Sequence, residues 1–147
     1  MSARSGIVEK LTEKLKEIDG LDPWKSNLYA NVENRKVFWD EVDDFPYISV
    51  SAGNEARQYL PSNFKWGFVS IHMYIYVRGE NPEQQLEDVI RDVELCIEQN
   101  RELNWDPDDP CKTTTDLELL TIETDGGIME PLGIAEMVFL ARYEMKF

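Results

Sequence analysis

Between Phe64 and Arg78 the chain alternates over a long stretch. Val69, Ile71, Met73, Ile75 and Val77 fall on one side, and Phe68, Ser70, His72, Tyr74 and Tyr76 on the other. Successive side chains of a strand point to opposite faces, so this spacing predicts one extended strand with an aliphatic face that must be buried. A sheet with one solvated face shows a cleaner apolar–polar alternation. The aromatic residues on the second face therefore predict that it too is covered, by a helix, a loop or a neighbouring subunit. Tyr74 and Tyr76 are the candidate contacts there.

The elements around this strand follow from the same kind of pattern. Ile7, Val8, Leu11, Leu15 and Ile18 recur at helical spacing, and Gly20 supplies a stop, predicting a helix from about residue 3 to residue 19. Residues 27–32 form a short strand candidate. Phe45-Pro46-Tyr47-Ile48-Ser49-Val50-Ser51 is a clearer one: Pro46 marks its start or an edge, Gly53 ends it, and residues 52–63 are a polar loop or hairpin connection. Asn81-Pro82-Glu83-Gln84 carries a cap, a proline suited to the first helical position and the far member of a capping box. Leu86, Val89, Ile90, Val93 and Ile97 continue it as one apolar stripe to about residue 102. The segment Trp105 to Pro110 breaks the helix, residues 117–124 form a strand, Asp125-Gly126-Gly127 a turn, and residues 135–147 a last strand.

Helix, strands, helix, strands is not the regular βαβ order of a doubly wound fold. It predicts an α+β fold, a mainly antiparallel sheet packed against two α-helices. At 147 residues, with no repeat, linker or low-complexity tract, the whole of 1–147 reads as one domain around one core. No apolar run approaches a membrane span and the N-terminus lacks a signal peptide's apolar block, so neither a membrane nor secretion is expected.

Charge narrows the partners. The chain has a net charge of −14, and residues 79–125 alone hold 15 Asp and Glu against Arg91, Arg101 and Lys112. Neutralising phosphates requires the opposite sign, so specific nucleic-acid binding is not expected. A surface that repels DNA, a basic protein partner or a merely solvated face all fit this charge.

The residues offer little to catalysis. His72 is the sole histidine, which removes His-based triads and multi-histidine metal sites within one chain. Asp106, Asp108 and Asp109 lack the central Gly and distal Glu of a calcium loop. Asp125-Gly126-Gly127 lacks the remaining residues of a phosphate-binding or dinucleotide fingerprint and reads as a turn. Cys96 in a helical pattern and Cys111 in a Pro/Asp-rich loop have no metal-like spacing; they are structural thiols or a disulfide pair. No catalytic, cofactor-binding or metal-ligating residue is expected.

Taken in order, several passages resemble the tail terminator, or tail completion, proteins of long-tailed bacteriophages. They are the helix Ile7 to Ile18 ending at Gly20, the strand Phe45 to Val50 leading into Gly53-Asn54-Glu55, and the long strand followed by the acidic helix. The resemblance continues through Thr124-Asp125-Gly126-Gly127, Pro131-Leu132-Gly133 and Ala135 to Tyr143. It implies a non-enzymatic structural protein, made in the host cytoplasm and placed at the neck end of the virion tail. There it would form a homohexameric ring on the last ring of tail tube protein, end tube growth and present a surface to the head-completion or neck protein. DNA would only pass through its lumen, which an acidic wall would favour. Three other readings stay open at this level: another head-to-tail connector or neck protein, an acidic DNA mimic that inhibits a nucleic-acid enzyme, or an enzyme using clustered carboxylates.

Leu95 is the one apolar residue on the second helix that falls outside its stripe, about half a turn away at 100° per residue. It is expected to point outward among Asp88, Arg91, Glu98 and Gln99. On the assembly reading it is a candidate subunit or partner contact.

Overall fold

Ser2 opens the first helix by accepting a hydrogen bond from the Ser5 amide, and α1 then runs Ala3–Leu15 with Ile7, Val8, Leu11 and Leu15 turned inward. These details come from a computed structural model, which describes residues 2–146 of the chain. The helix ends four residues short of the expected boundary. After Leu15 the amides of Glu17 and Ile18 reach back three residues, to Lys14 and Leu15, tightening the last turn so that Ile18 still enters the core. Gly20, expected as the helix stop, sits beyond it at φ +82°, against an isolated bridge between Asp19 and Asn27.

Five strands form one sheet in the order β1-β2-β3-β5-β4. They are β1 (Val32–Glu33), β2 (Tyr47–Tyr59), β3 (Phe64–Arg78), β4 (Thr114–Thr124) and β5 (Leu132–Lys146). All neighbours are antiparallel except β1, which pairs parallel with Ile48 and Ser49 of β2. The long strand matches the alternation pattern end to end. Only two residues of the 27–33 region pair as a strand, because the Leu28 and Tyr29 amides are taken by the Ile18 carbonyl.

The largest departure from expectation is β2. Neither Gly53 nor the polar stretch behind it ends the strand; pairing resumes at Glu55 opposite Val69 after a register shift, and only residues 60–63 remain as the turn. Polar composition misleads here because this half of β2 carries no layer above it, so its side chains need not be apolar. Gly53 instead permits a close approach, since a side chain there would meet the His72 ring at 2.6 Å.

The second helix, α2 (Pro82–Gln99), starts as the sequence predicts, with Asn81 accepting from the Gln84 amide. The Gln84 side chain does not close a capping box; it reaches Asp88 at 3.2 Å. The helix stops at Gln99, about one turn before residue 102, with the Asn100 side-chain amide donating to the Cys96 carbonyl and its backbone N–H to the Ile97 carbonyl. β4 and β5 each begin three residues earlier than expected, and Phe147 lies outside the described residues.

Both helices cover one face of the sheet. Ile7, Leu11, Leu15, Leu86, Val89, Val93 and Ile97 pack over Ile48, Val50, Val69, Ile71, Met73 and Ile75, and over Met137, Phe139 and Tyr143 of β5. The result is a mixed α+β domain, mainly antiparallel, with two helices on one sheet. Both cysteines are free: Cys96 is buried, which pushes its thiol pKa up to about 11, and Cys111 is exposed.

Candidate assembly surfaces

The sheet face opposite the helices divides into two halves. At one end the segment from Val37 to Phe45, which includes a 3-10 turn at Trp39–Glu41, folds over Tyr47, Tyr74, Tyr76 and Ile134 as a second small apolar cluster. Tyr76 is only 4% exposed and donates its hydroxyl to the Val37 carbonyl at 2.6 Å. A loop of its own chain therefore covers Tyr76, which is not open to a neighbouring subunit.

Tyr74 lies at the rim of this cover and stays half-buried. Lys36 stands 5.9 Å from its ring centre. The Glu136 carboxylate, on the facing strand, accepts the Tyr74 hydroxyl and is 3.2 Å from His72 Nδ1. The hydrogen bond to Glu136, followed by burial, pushes the Tyr74 pKa up to about 12. The Tyr74 bond in turn holds the Glu136 carboxyl below the usual carboxylate range, with His72 adding to the effect.

Beyond this rim the face carries no covering element among the described residues. Phe68, Ser70 and His72 of β3 lie there beside Val138, Leu140 and Arg142 of β5, all half-buried through contacts within the sheet. The Arg142 guanidinium stacks 4.7 Å from the Trp66 ring centre, closing the far end.

Leu95 sits apart from the α2 stripe, as its spacing predicts, but it is half-buried instead of openly exposed. Arg91 and Gln99, one turn to either side, share its side of the helix. Around it Glu94, Glu98 and Gln99 face solvent. Leu95 and Tyr74 belong to different layers of the fold, one on a helix and one on the opposite sheet face, so they form no common patch.

The most exposed apolar side chains are elsewhere. Leu120 and Ile122 on β4 are 51% and 40% exposed, Tyr59 at the β2 end is 72% exposed and Ile128 in the β4–β5 turn 86%. Phe38 and Trp39 project from the covering segment. The sequence signal was present in Leu120 and Ile122, but a strand pattern alone does not say that the strand lies at a sheet edge.

Asp92 was also not legible as special. It is completely buried beneath the chain entering from α1, where its carboxylate accepts the amides of Lys25 and Ser26 and the Ser26 hydroxyl, with Arg91 alongside at 3.0 Å. The Asp106 and Asp109 carboxylates close turns on the Asp108 and Cys111 amides, and Lys112 lies 3.5 Å from Asp106. No helix among the described residues is long and apolar enough to cross a membrane.

Comparison with known proteins agrees with this architecture along the whole chain. The chain is 30% identical to the tail tube terminator protein p142 of Escherichia phage T5 over 153 aligned positions, covering 98% of this chain and 95% of that protein. A chain in the virion of a native gene transfer agent particle shares the fold, with a TM-score of 0.62 at 11% identity, covering 99% of this chain and 100% of that one. The family model described as bacteriophage tail tube terminator protein matches residues 1–146. By that match and by its likeness to the T5 protein, the chain belongs to the bacteriophage tail tube terminator family.

Proposed function

We propose that this chain caps the growing end of a phage tail tube as a closed ring of six copies, stops tube polymerisation and provides the surface on which the head-completion or neck protein joins. The observation that carries this reading is the family match across residues 1–146. Its physical character supports the same reading. The fold exposes apolar residues on strand edges and turns, while the excess of carboxylates keeps the surface soluble until partners arrive. In the ring, acidic side chains lining or flanking the lumen let DNA slide past without adhering. The protein acts as a part of the virion tail.

The test is polymerisation of the cognate tube protein in the presence of this chain. Tubes should become shorter as the chain is added, and electron micrographs should show one extra ring at one tube end only. Unchanged tube lengths, with the added protein left in the soluble fraction, would reject the capping role.

A further inference from the structure

The sheet ends in two unused edges, one on each side. Among the described residues β4 has β5 as its only strand neighbour, and its outer stretch, residues 118–124, offers free backbone groups beside Leu120 and Ile122. β4 contains no proline or lysine, and its one irregularity in this stretch is a register shift between Leu119 and Thr121 that leaves Leu120 unpaired with β5. On the other side, β1 covers β2 only at Ile48 and Ser49, so residues 55–59 of β2 are paired with β3 alone. The two edges differ in charge: Glu118 and Glu123 are the only charged groups of the β4 stretch, whereas in the β2 stretch Glu55 and Arg57 form an ion pair at 3.1 Å.

We infer that the free edge of β4 in one copy pairs antiparallel with the free edge of β2 in the next, joining their sheets around the ring. This inference rests on the proposed ring and supplies its subunit contact. The strand directions allow it: β5 runs parallel to β2 and β4 opposite to both, so copies of the same orientation set side by side bring β4 and β2 together antiparallel. Because the two edges are different surfaces, the contact is head-to-tail and repeats in one direction until it closes.

Register fixes the offset between copies. The free stretch of β2 lies beside residues 65–69 of β3, and that of β4 lies, through β5, beside residues 70–75 of the same strand. Neighbouring copies must then shift by roughly five residues, about 17 Å, along the strands. One copy contributes four strand spacings, about 19 Å, to the circumference. The two lengths incline the strands by about 40° to the ring axis, within the range at which closed sheets settle. A shift near zero would have suggested an open ribbon, and a much larger one could not close.

Ala56 and Thr121 lie on the outer sheet face near the middle of the two stretches, opposite Phe68 and Val138 respectively, and both are exposed. A chain carrying Ala56→Cys and Thr121→Cys in a Cys111→Ser background should cap tubes and, with a short bismaleimide, give a ladder of linked chains. Each single variant should give none, because Cys96 is buried. If the Cys111→Ser parent caps tubes but the double variant on those tubes stays monomeric, or links to the tube protein, the edge pairing is overturned and the capping role stands. If the parent does not cap at all, the capping role fails and the pairing falls with it.

Discussion

The Asp92 carboxylate accepts the Ser26 hydroxyl at 2.6 Å, joining the middle of α2 to the loop that leaves α1. The same oxygen also takes the Ser26 amide at 2.7 Å, and the Lys25 amide lies 2.9 Å away, so the fully buried charge is satisfied mainly by backbone donors of a segment 66 residues distant. A buried charge with such partners fixes a loop position that apolar packing alone would leave loose.

Asp92→Asn would replace one acceptor oxygen by a donor facing two amides. Losing charged hydrogen bonds at a buried site costs about 2–4 kcal/mol. The expected result is a fall in melting temperature on the order of 10 °C in a thermal scan. A change of a degree or two would show that the loop is held by its packing and not by Asp92.

Tyr76 gives a smaller and more local prediction. Tyr76→Phe leaves the buried Val37 carbonyl without its donor, at a cost of about 1–2 kcal/mol, while the apolar cluster with Tyr47 and Val42 persists. Tube capping should be unchanged once the protein is folded, because the residue is covered within its own chain. Loss of capping at unchanged stability would mean that the Val37 segment moves aside in the assembly.

Stability at alkaline pH depends on several raised groups, Tyr47, Tyr76 and Cys96 among them, and two tyrosines show it most clearly. The Glu136 hydrogen bond raises Tyr74, and burial followed by the Glu55 hydrogen bond raises Tyr143, each to about 12 from an ordinary 10. Their folded pKa values exceed the unfolded ones, so the stabilisation is complete below pH 10 and is lost as pH rises toward 12. Denaturant melts should show stability falling across that window, and less steeply in Tyr74→Phe. A flat profile from pH 10 to 12 would contradict both assignments.

The sequence revealed the parts of this fold in which burial dictates residue type. Val69 to Val77 and the Leu86-to-Ile97 stripe face a core, and their periodicity places both elements correctly. It failed where tertiary pairing overrode composition. Residues 55–59 look like a polar loop yet form a strand because β3 is long enough to pair with them. The cover over Tyr76 was one of three open possibilities, since Val37 and Val42 are far from it along the chain and no local rule joins them. Edge position was likewise invisible: Leu120 and Ile122 alternate like core residues until the strand order shows that nothing lies beyond them.

The charge of −14 predicts that the free protein will not bind duplex DNA at physiological salt. Fluorescence anisotropy with a labelled duplex should stay flat to micromolar protein. Binding in that range that weakens as salt rises would reveal a basic surface and count against passive passage of DNA.

Leu95 tests whether α2 takes part in assembly. Its half-buried side chain lies outside the core, with the exposed Glu94, Glu98 and Gln99 around it. A partly covered leucine contributes less than a core residue, so Leu95→Asp should cost about 1 kcal/mol or less and lower melting by only a few degrees. An apolar residue within a charged rim is the arrangement by which a contact excludes water while charges set its register. On the capping reading the variant should therefore fold but stop tube growth less effectively at equal concentration. If it caps like the parent, α2 makes no contact with tube, neck or neighbouring copy; if it melts ten degrees lower, Leu95 contributes to the core despite its position.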